Sequence, residues 1–204
     1  MPGTHRPTVR LVLASGSKTR LRILCDAGFA PEVMVSGVDE TIDAPDTATA
    51  VVALAVRKGE VVAERCARAV VLACDSLLEH RGVSFGKPDS AAQALEFWQR
   101  LSGQEAVLNT GHWVKDTRTN RSTTGIARTT VRFGTPDPEE LAAYIDTGEP
   151  LALAGAFSID GYAAPFIDGI DGDPSNVLGL SLPLFRTMVT EIGITMTDLW
   201  SPPP

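Results

Sequence analysis

The stretch AVVLACDS, residues 69–76, organises the predicted fold. Six consecutive apolar residues, from Ala69 to Cys74, are typical of a strand covered on both faces, so the sequence predicts a central strand here. Asp75 follows directly and is predicted at the carboxyl end of this strand. Because α/β sheets bind their ligands at that edge, Asp75 and the neighbouring Ser76 are candidate site residues.

Shorter patterns on either side predict further strands and helices. The predicted strands are VRLVLA (9–14), PEVMVSG (31–37), and a hairpin of AVLNTGHWVKD (106–116) and TTGIARTTVRFG (123–134) joined near residues 119–121. Five helices are predicted: one that begins at Lys18, one from a cap at Thr47 to Cys66, one from a cap at Asp89 to Leu101, one from Pro138 to Thr147, and one over SLPLFRTMVTEIG (181–193). A loose tail is predicted from about Trp200. This alternation, followed by a hairpin, predicts one α/β domain over residues 1–204, with a mixed central sheet flanked by helices.

The composition excludes several classes of protein. A net charge of -7 and a pI near 4.9 provide no positive field for a nucleic-acid backbone. No apolar run approaches the roughly 20 residues of a membrane-spanning helix, and the first residues lack the apolar core of a signal peptide. Three cysteines, Cys25, Cys66 and Cys74, are expected as reduced, buried thiols. We therefore expect a cytoplasmic protein that binds neither nucleic acid nor membranes.

Two cationic residues interrupt apolar helix faces. At roughly 100° per residue, Arg20 falls between Ile23 and Leu24, and Lys58 lies at the centre of the apolar stripe of the helix 47–66. A buried unpaired charge costs several kcal/mol, so each cation needs an anion. Internal carboxylates and a bound anionic ligand both meet this need, and for Lys58 a third alternative is that its long stem carries the ammonium group to water. Helical phase does not choose among them.

Small residues and acids complete the candidate site. Ser15-Gly16-Ser17, between a strand and a helix, lets backbone N–H groups face an anion. Asp39-Glu40 and Asp75 offer the oxygen ligands that a hard divalent cation prefers. Acidic loop residues are most often simply solvated, which is the alternative for Asp39 and Glu40.

The motifs together resemble those of the Maf family of nucleoside triphosphate pyrophosphatases. LASGSKTRLRIL (13–24) is similar to that family's LASxSPRRxELL, SGVDE (36–40) to its VDE element, LAVRKGEVVA (54–63) to LAxxKAxxVA, ACDS (73–76) to GADT, SFGKP (84–88) to LGKP, LSGQEAVLNTGHWV (101–114) to LSGxxHxVxTGVxV, GEPLALAGAFSIDG (148–161) to EPxDKAGxYxIQG, and IDGDPSNVLGLSLPL (170–184) to IxGxxxxVxGLPL. The blocks follow in the family's order over nearly the whole chain, which makes coincidence a poor explanation.

The resemblance implies a fold, a reaction and a set of site residues. The fold would be elongated and two-lobed, like that of inosine triphosphate pyrophosphatases. A standard or modified nucleoside triphosphate would be hydrolysed to the monophosphate and pyrophosphate, with Mg²⁺ or Mn²⁺ held by Glu40 and Asp75. Asp75 would also be catalytic, and a homodimer is implied. The substrate-binding positions would be Ser15, Arg20, Lys58, Lys87, Ser76 and Asp160.

Departures from the family pattern bear on the substrate. The family's Pro-Arg is Lys18-Thr19 here, which leaves open whether Lys18 replaces the missing arginine, and Arg22 stands at the usual glutamate position. Ser76 resembles the threonine of the pyrimidine-preferring group, whereas Asp160 resembles the glutamate of the 7-methyl-GTP group. Because a carboxylate only accepts hydrogen bonds, Asp160 favours a base edge rich in donors.

A function of another class fits the same motifs. The family is also named for an effect on septum formation, so the alternative is a non-hydrolytic, nucleotide-binding regulator of cell division.

Overall fold

Seven strands form one mixed sheet in the computed structural model, which describes residues 9–201. The strands are β1 (Arg10–Leu13), β2 (Glu32–Val33), β3 (Ala69–His80), β4 (Val83–Phe85), β5 (Glu105–Asp116), β6 (Arg121–Phe133) and β7 (Ile167–Asp171). Their order is β2-β1-β3-β5-β6-β7, with β4 paired to β3. β1 is parallel to β2 and β3, and the remaining pairs are antiparallel. The predicted mixed sheet and the central position of β3 are confirmed.

Helices flank this sheet within the described residues. They are α1 (Lys18–Asp26), α2 (Thr47–Ala63), α3 (Ala91–Leu101), α4 (Pro138–Asp146), α5 (Pro174–Val177), α6 (Leu182–Glu191) and α7 (Met196–Leu199). Two predicted caps are wrong by one residue, because Asp46 caps α2 and Ser90 caps α3. Both cap residues have an extended backbone, which lets the side-chain oxygen reach the N–H group three residues further on.

β3 is longer than predicted. It continues beyond Cys74 to His80, so the prediction that Asp75 ends the strand is wrong. The ladder with β5 runs without interruption from Val70 to Glu79 and keeps this polar part of the chain extended. By contrast, the predicted strand 31–37 is reduced to the two residues of β2. β4 and β7 were not predicted, and both exist as short strands paired to longer neighbours.

The apolar core consists of three clusters arranged around the sheet. Alternate residues of β3 point to opposite faces, so Leu72 packs with α1 and α6 while Val71 packs with α2. The third cluster surrounds Trp98 and joins α3 and α4 to the far end of β3 and to β5 and β6. The Trp98 indole N–H donates to the Ala156 carbonyl oxygen at 2.9 Å, which satisfies its polar atom inside this cluster.

Helix α2 approaches the sheet closely because glycines line the contact. A Cβ atom at Gly111 would lie 2.5 Å from Val52 N and closer still to Val51 C and O. At Gly59 an added Cβ would lie 2.5 Å from Cζ3 of Trp113. A side chain in either place would force its neighbours to move, so these glycines set the distance between α2 and β5.

The described C-terminal residues and one of the three cysteines differ from the sequence predictions. Trp200 does not begin a loose tail, because it forms a bridge with Phe29, and the Ser201 N–H donates to the Gly28 carbonyl at 2.8 Å. Residues 202–204 of the predicted tail and residues 1–8 of the segment tested for a signal peptide lie outside the described residues. Cys25 is exposed, contrary to prediction, whereas Cys66 and Cys74 are buried. In residues 9–201, no helix has the length and apolar character needed to cross a membrane.

Candidate active site

An opening in the sheet lies beside the middle of β3. β1 pairs with β3 only as far as Leu72, and β4 begins to pair with it at Leu78. Between these two points, residues 73–77 have a strand neighbour only on the β5 side, within the part of the chain that the structure describes. β1 ends here because Ser17 caps α1 and turns the chain away from the sheet. We call this opening the notch.

Arg20 reaches the notch from α1, and neutral oxygen atoms hold it there. Its Nε donates to the Gly179 carbonyl at 2.7 Å, Nη1 donates to Ser15 Oγ at 3.2 Å and to the Cys74 carbonyl at 2.9 Å, and Nη2 donates to Ser76 Oγ at 2.9 Å. A guanidinium has five N–H donors, so one N–H on Nη2 is left over. No carboxylate among residues 9–201 pairs with this cation. Arg20 is therefore a rigidly held positive charge that can still accept an anion.

Hydroxyl groups extend the support of Arg20 into the sheet and the loop. Ser15 is buried, and its Oγ also accepts the Ser17 N–H at 3.2 Å. On the other side, Ser76 Oγ lies 3.0 Å from Oγ1 of Thr110 on β5. The strand-loop-helix turn thus orients the guanidinium from one side and the sheet from the other.

Lys58 approaches the opposite face of β3 from α2. Its Nζ lies 2.6 Å from Asp75 Oδ1 and 2.9 Å from Glu40 Oε1. Lys58 is 8% exposed and Asp75 is 7% exposed, whereas Glu40 is open to solvent. For Lys58 the structure contains internal carboxylates, one of the alternatives that the sequence left open. The two predicted metal ligands therefore converge on one nitrogen atom.

A clamp on the loop before α2 brings Glu40 to Lys58. Arg57 Nη1 donates to the carbonyl oxygens of Asp39, at 2.7 Å, and Thr41, at 3.0 Å. The Thr41 N–H donates to the Asp39 carboxylate, and this hydrogen bond holds the pKa of Asp39 below its usual value. Sequence analysis missed Arg57, because a side chain that binds backbone carbonyls leaves no periodic pattern.

The other predicted site residues lie apart from this arrangement. Lys87 is exposed in the segment after β4 and makes no hydrogen bond or ion pair to any residue between 9 and 201. Asp160 forms an ion pair with Arg22 of α1 and accepts a hydrogen bond from Ser158 Oγ. The Asp160 carboxylate is therefore already engaged, and Arg22 adds donor groups beside it.

The groups around the notch exclude nucleophilic catalysis by a cysteine thiol and fit a magnesium site. Burial raises the pKa of the Cys74 thiol to about 12, so this thiol is not a nucleophile at neutral pH. Asp75 Oδ1 and Glu40 Oε1 are bound to Lys58, which leaves a second oxygen on each carboxylate. Mg²⁺ typically uses one or two carboxylates together with water and substrate phosphates, so the pair fits such an ion. No cluster of three or more possible ligand side chains (His, Cys, Asp or Glu) occurs in the described part of the chain.

A family model and the relatives of this chain both point to the family that the sequence motifs resemble. Residues 10–192 match the family model described as Maf-like protein. A protein of Streptomyces coelicolor is 50% identical over 202 residues, with 98% of each chain covered, and one of Saccharopolyspora erythraea is 45% identical, with 96% of this chain and 99% of that one covered. A protein of Microcystis aeruginosa is 42% identical, with 95% of this chain and all of that one covered. Each of the three is named nucleoside triphosphate pyrophosphatase.

Proposed function

The chain belongs to the Maf family, and from that premise we propose that it is a nucleoside triphosphate pyrophosphatase. It hydrolyses a nucleoside triphosphate to the monophosphate and pyrophosphate. The observation that supports this most directly is Arg20, a cation fixed in an opening of the sheet by four hydrogen bonds to neutral acceptors. Such a group attracts an anion such as a polyphosphate, because its own charge has no carboxylate partner within residues 9–201.

The phosphate chain is proposed to lie along the notch. The spare N–H of Arg20 donates to a phosphate oxygen, and the backbone N–H groups near Ser15 face the same anion at the start of α1. Lys87 is exposed and unpaired within the described residues, so it is available for the outer phosphates. Ser76 and Asp160 are the proposed contacts to the base, and the Arg22 donor beside Asp160 widens the range of base edges that this position can bind.

Asp75 is the proposed catalytic residue. One of its oxygen atoms is held by Lys58, so the carboxylate has a fixed orientation. The other oxygen has two lone-pair sites, so it would have room for the metal ion and for a water molecule, whose proton it takes as the water attacks the α phosphorus. Glu40 and Asp75 would hold Mg²⁺ or Mn²⁺, which offsets the negative charge that develops on the phosphate oxygens. Lys58 keeps the two carboxylates together while no substrate is bound.

The proposal includes a location and an assembly. The free thiols Cys25, Cys66 and Cys74 suit a reducing cytoplasm, where nucleoside triphosphates are found. The net charge of -7 favours no nucleic-acid or membrane partner. A homodimer is proposed from the family resemblance alone.

Pyrophosphate release tests this function. Purified protein is assayed with nucleoside triphosphates of guanine, adenine, cytosine, uracil and thymine and with 7-methyl-GTP, in the presence of Mg²⁺ or of Mn²⁺. Release from at least one substrate, abolished by a chelator and restored by the metal, is expected. Binding of a nucleotide without release would instead favour the non-hydrolytic regulator of septum formation.

The role of Asp75 is tested by Asp75→Asn. This variant should fold and bind nucleotide while kcat falls by about a hundredfold or more, because the amide cannot take a proton. Asp116→Asn is the matched control, since Asp116 is also buried and ion-paired but lies opposite Val70, away from the notch. It should lower the melting temperature and leave kcat unchanged. An Asp75→Asn variant with the original turnover would exclude Asp75 as the general base.

A further inference from the structure

His112 is buried in β5 beside the notch, on a position where the Maf pattern has an apolar residue. Its side chain is 0% exposed, and it lies directly opposite Cys74 in the β3–β5 ladder. A fully buried imidazole must have partners for both ring nitrogens. These partners are therefore informative about what His112 does.

The two ring nitrogens of His112 have different roles. The backbone N–H of Ser181 points at Nε2 across 2.9 Å, and an N–H group can only donate, so Nε2 is an acceptor. Nδ1 lies 3.0 Å from the Thr110 carbonyl oxygen, which can only accept, so Nδ1 carries the proton. Burial lowers the pKa of His112 to about 4, which agrees with a neutral ring at physiological pH.

The backbone that His112 holds is the same backbone that holds Arg20. Two residues before Ser181, the Gly179 carbonyl accepts the Arg20 Nε–H at 2.7 Å. Gly179 has a left-handed backbone with φ of +95°, and its N–H donates to the Asn176 carbonyl at 2.8 Å. The turn 176–181 is thus a tight unit whose carbonyl faces the guanidinium, and the His112 imidazole ties it to the sheet.

The side chain of Thr110, two residues earlier on the same face of β5, holds the other side of the guanidinium. Its Oγ1 contacts Ser76 Oγ, which accepts the Arg20 Nη2–H at 2.9 Å. β5 therefore fixes Arg20 by two routes, through Ser76 and through the 176–181 turn. We propose that His112 is a positioning residue for Arg20: by accepting the Ser181 N–H, it sets the direction in which the spare N–H of Arg20 points. This inference rests on the proposed function, since it requires Arg20 to bind a phosphate.

Two substitutions separate the hydrogen bond from simple packing. His112→Leu fills the space but removes the acceptor, so the turn is released and kcat/KM is expected to fall by about tenfold, mainly through KM. His112→Gln carries an oxygen that can reach the Nε2 position, and it should recover most of the loss. The melting temperature is measured for both, with Asp116→Asn as the control that loses stability without a change in KM.

The decisive test repeats His112→Leu in an Arg20→Ala background. If His112 acts through Arg20, the substitution lowers kcat/KM in the wild-type background and has no further effect once Arg20 is gone. An equal loss in both backgrounds, no loss in either, or no rescue by His112→Gln would overturn the proposal.

A binding measurement keeps this proposal distinct from the proposed reaction. Affinity for inorganic tripolyphosphate is measured by calorimetry for the wild type, His112→Leu, Arg20→Ala and the double variant. If the wild type releases no pyrophosphate but binds tripolyphosphate, and His112→Leu weakens binding only when Arg20 is present, the proposed enzymatic function fails and the positioning role stands. If tripolyphosphate binding is the same with and without His112, the positioning role is overturned.

Discussion

Substitution of Gly111 on β5 by alanine should move α2 away from the sheet and from Asp75 on β3. The added Cβ would lie 2.5 Å from Val52 N, whereas ordinary contacts begin at 3.4 Å. The atoms it meets belong to the helix backbone, so they cannot move singly and the helix must shift by about 1 Å. Overpacking of this kind costs typically 1–3 kcal/mol of the free energy of unfolding.

The functional cost comes from Lys58, two turns further along the same face of α2. Its Nζ lies 2.6 Å from Asp75 and 2.9 Å from Glu40, and a shift of about 1 Å breaks this geometry. Misplacement of that size near reacting groups lowers rates by as much as about a hundredfold. We expect Gly111→Ala to lower kcat/KM by about ten- to a hundredfold while the protein remains folded at 25 °C.

The assay pairs pyrophosphate release with urea denaturation, and Gly125→Ala is the control. At Gly125 the three atoms nearest to an added Cβ would be the two methyl carbons of Leu184, at 3.1 and 3.3 Å, and the Met188 sulfur at 3.4 Å. These are the ends of flexible side chains, so both stability and kcat/KM should change little. The reasoning is refuted if Gly111→Ala matches Gly125→Ala in both measurements.

Two further substitutions test the ionisable groups. The native pKa of His112, about 4, lies below the unfolded value near 6.5, so the contribution of His112 to stability is complete above pH 6.5 and is lost as the pH falls towards 4. In urea titrations over this pH range, the free energy of unfolding of the wild type should fall by about 3 kcal/mol more than that of His112→Gln. Parallel curves for the two proteins would refute this expectation. Arg22→Ala removes a half-exposed ion pair, so the free energy of unfolding should change by less than about 1 kcal/mol. The substitution frees Asp160 to accept hydrogen bonds from a base, so the ratio of kcat/KM for guanosine triphosphate to kcat/KM for pyrimidine nucleoside triphosphates should rise. An unchanged ratio would show that Asp160 does not take part in base recognition.

Several features follow from the sequence because they depend only on local order. Six apolar residues in a row predict a strand covered on both faces, and β3 is the central strand of the sheet. Helical phase directs Arg20 and Lys58 inward, since the period of a helix is set by the backbone and not by its neighbours. The motifs and their order indicate the family, since both are read directly from the linear sequence.

The partners of those inward charges were decided only by the tertiary structure. Arg20 meets carbonyl and hydroxyl oxygens from segments as far away as Gly179, whereas Lys58 meets Asp75 and Glu40 on the other face of β3. Which acceptor a buried cation finds depends on where β1 stops, on the register of β3 with β5, and on how closely α2 approaches the sheet. These are distances between parts of the chain that are remote in sequence, and no local pattern contains them. His112 illustrates the same limit, because its function appears only once the 176–181 turn is folded against β5.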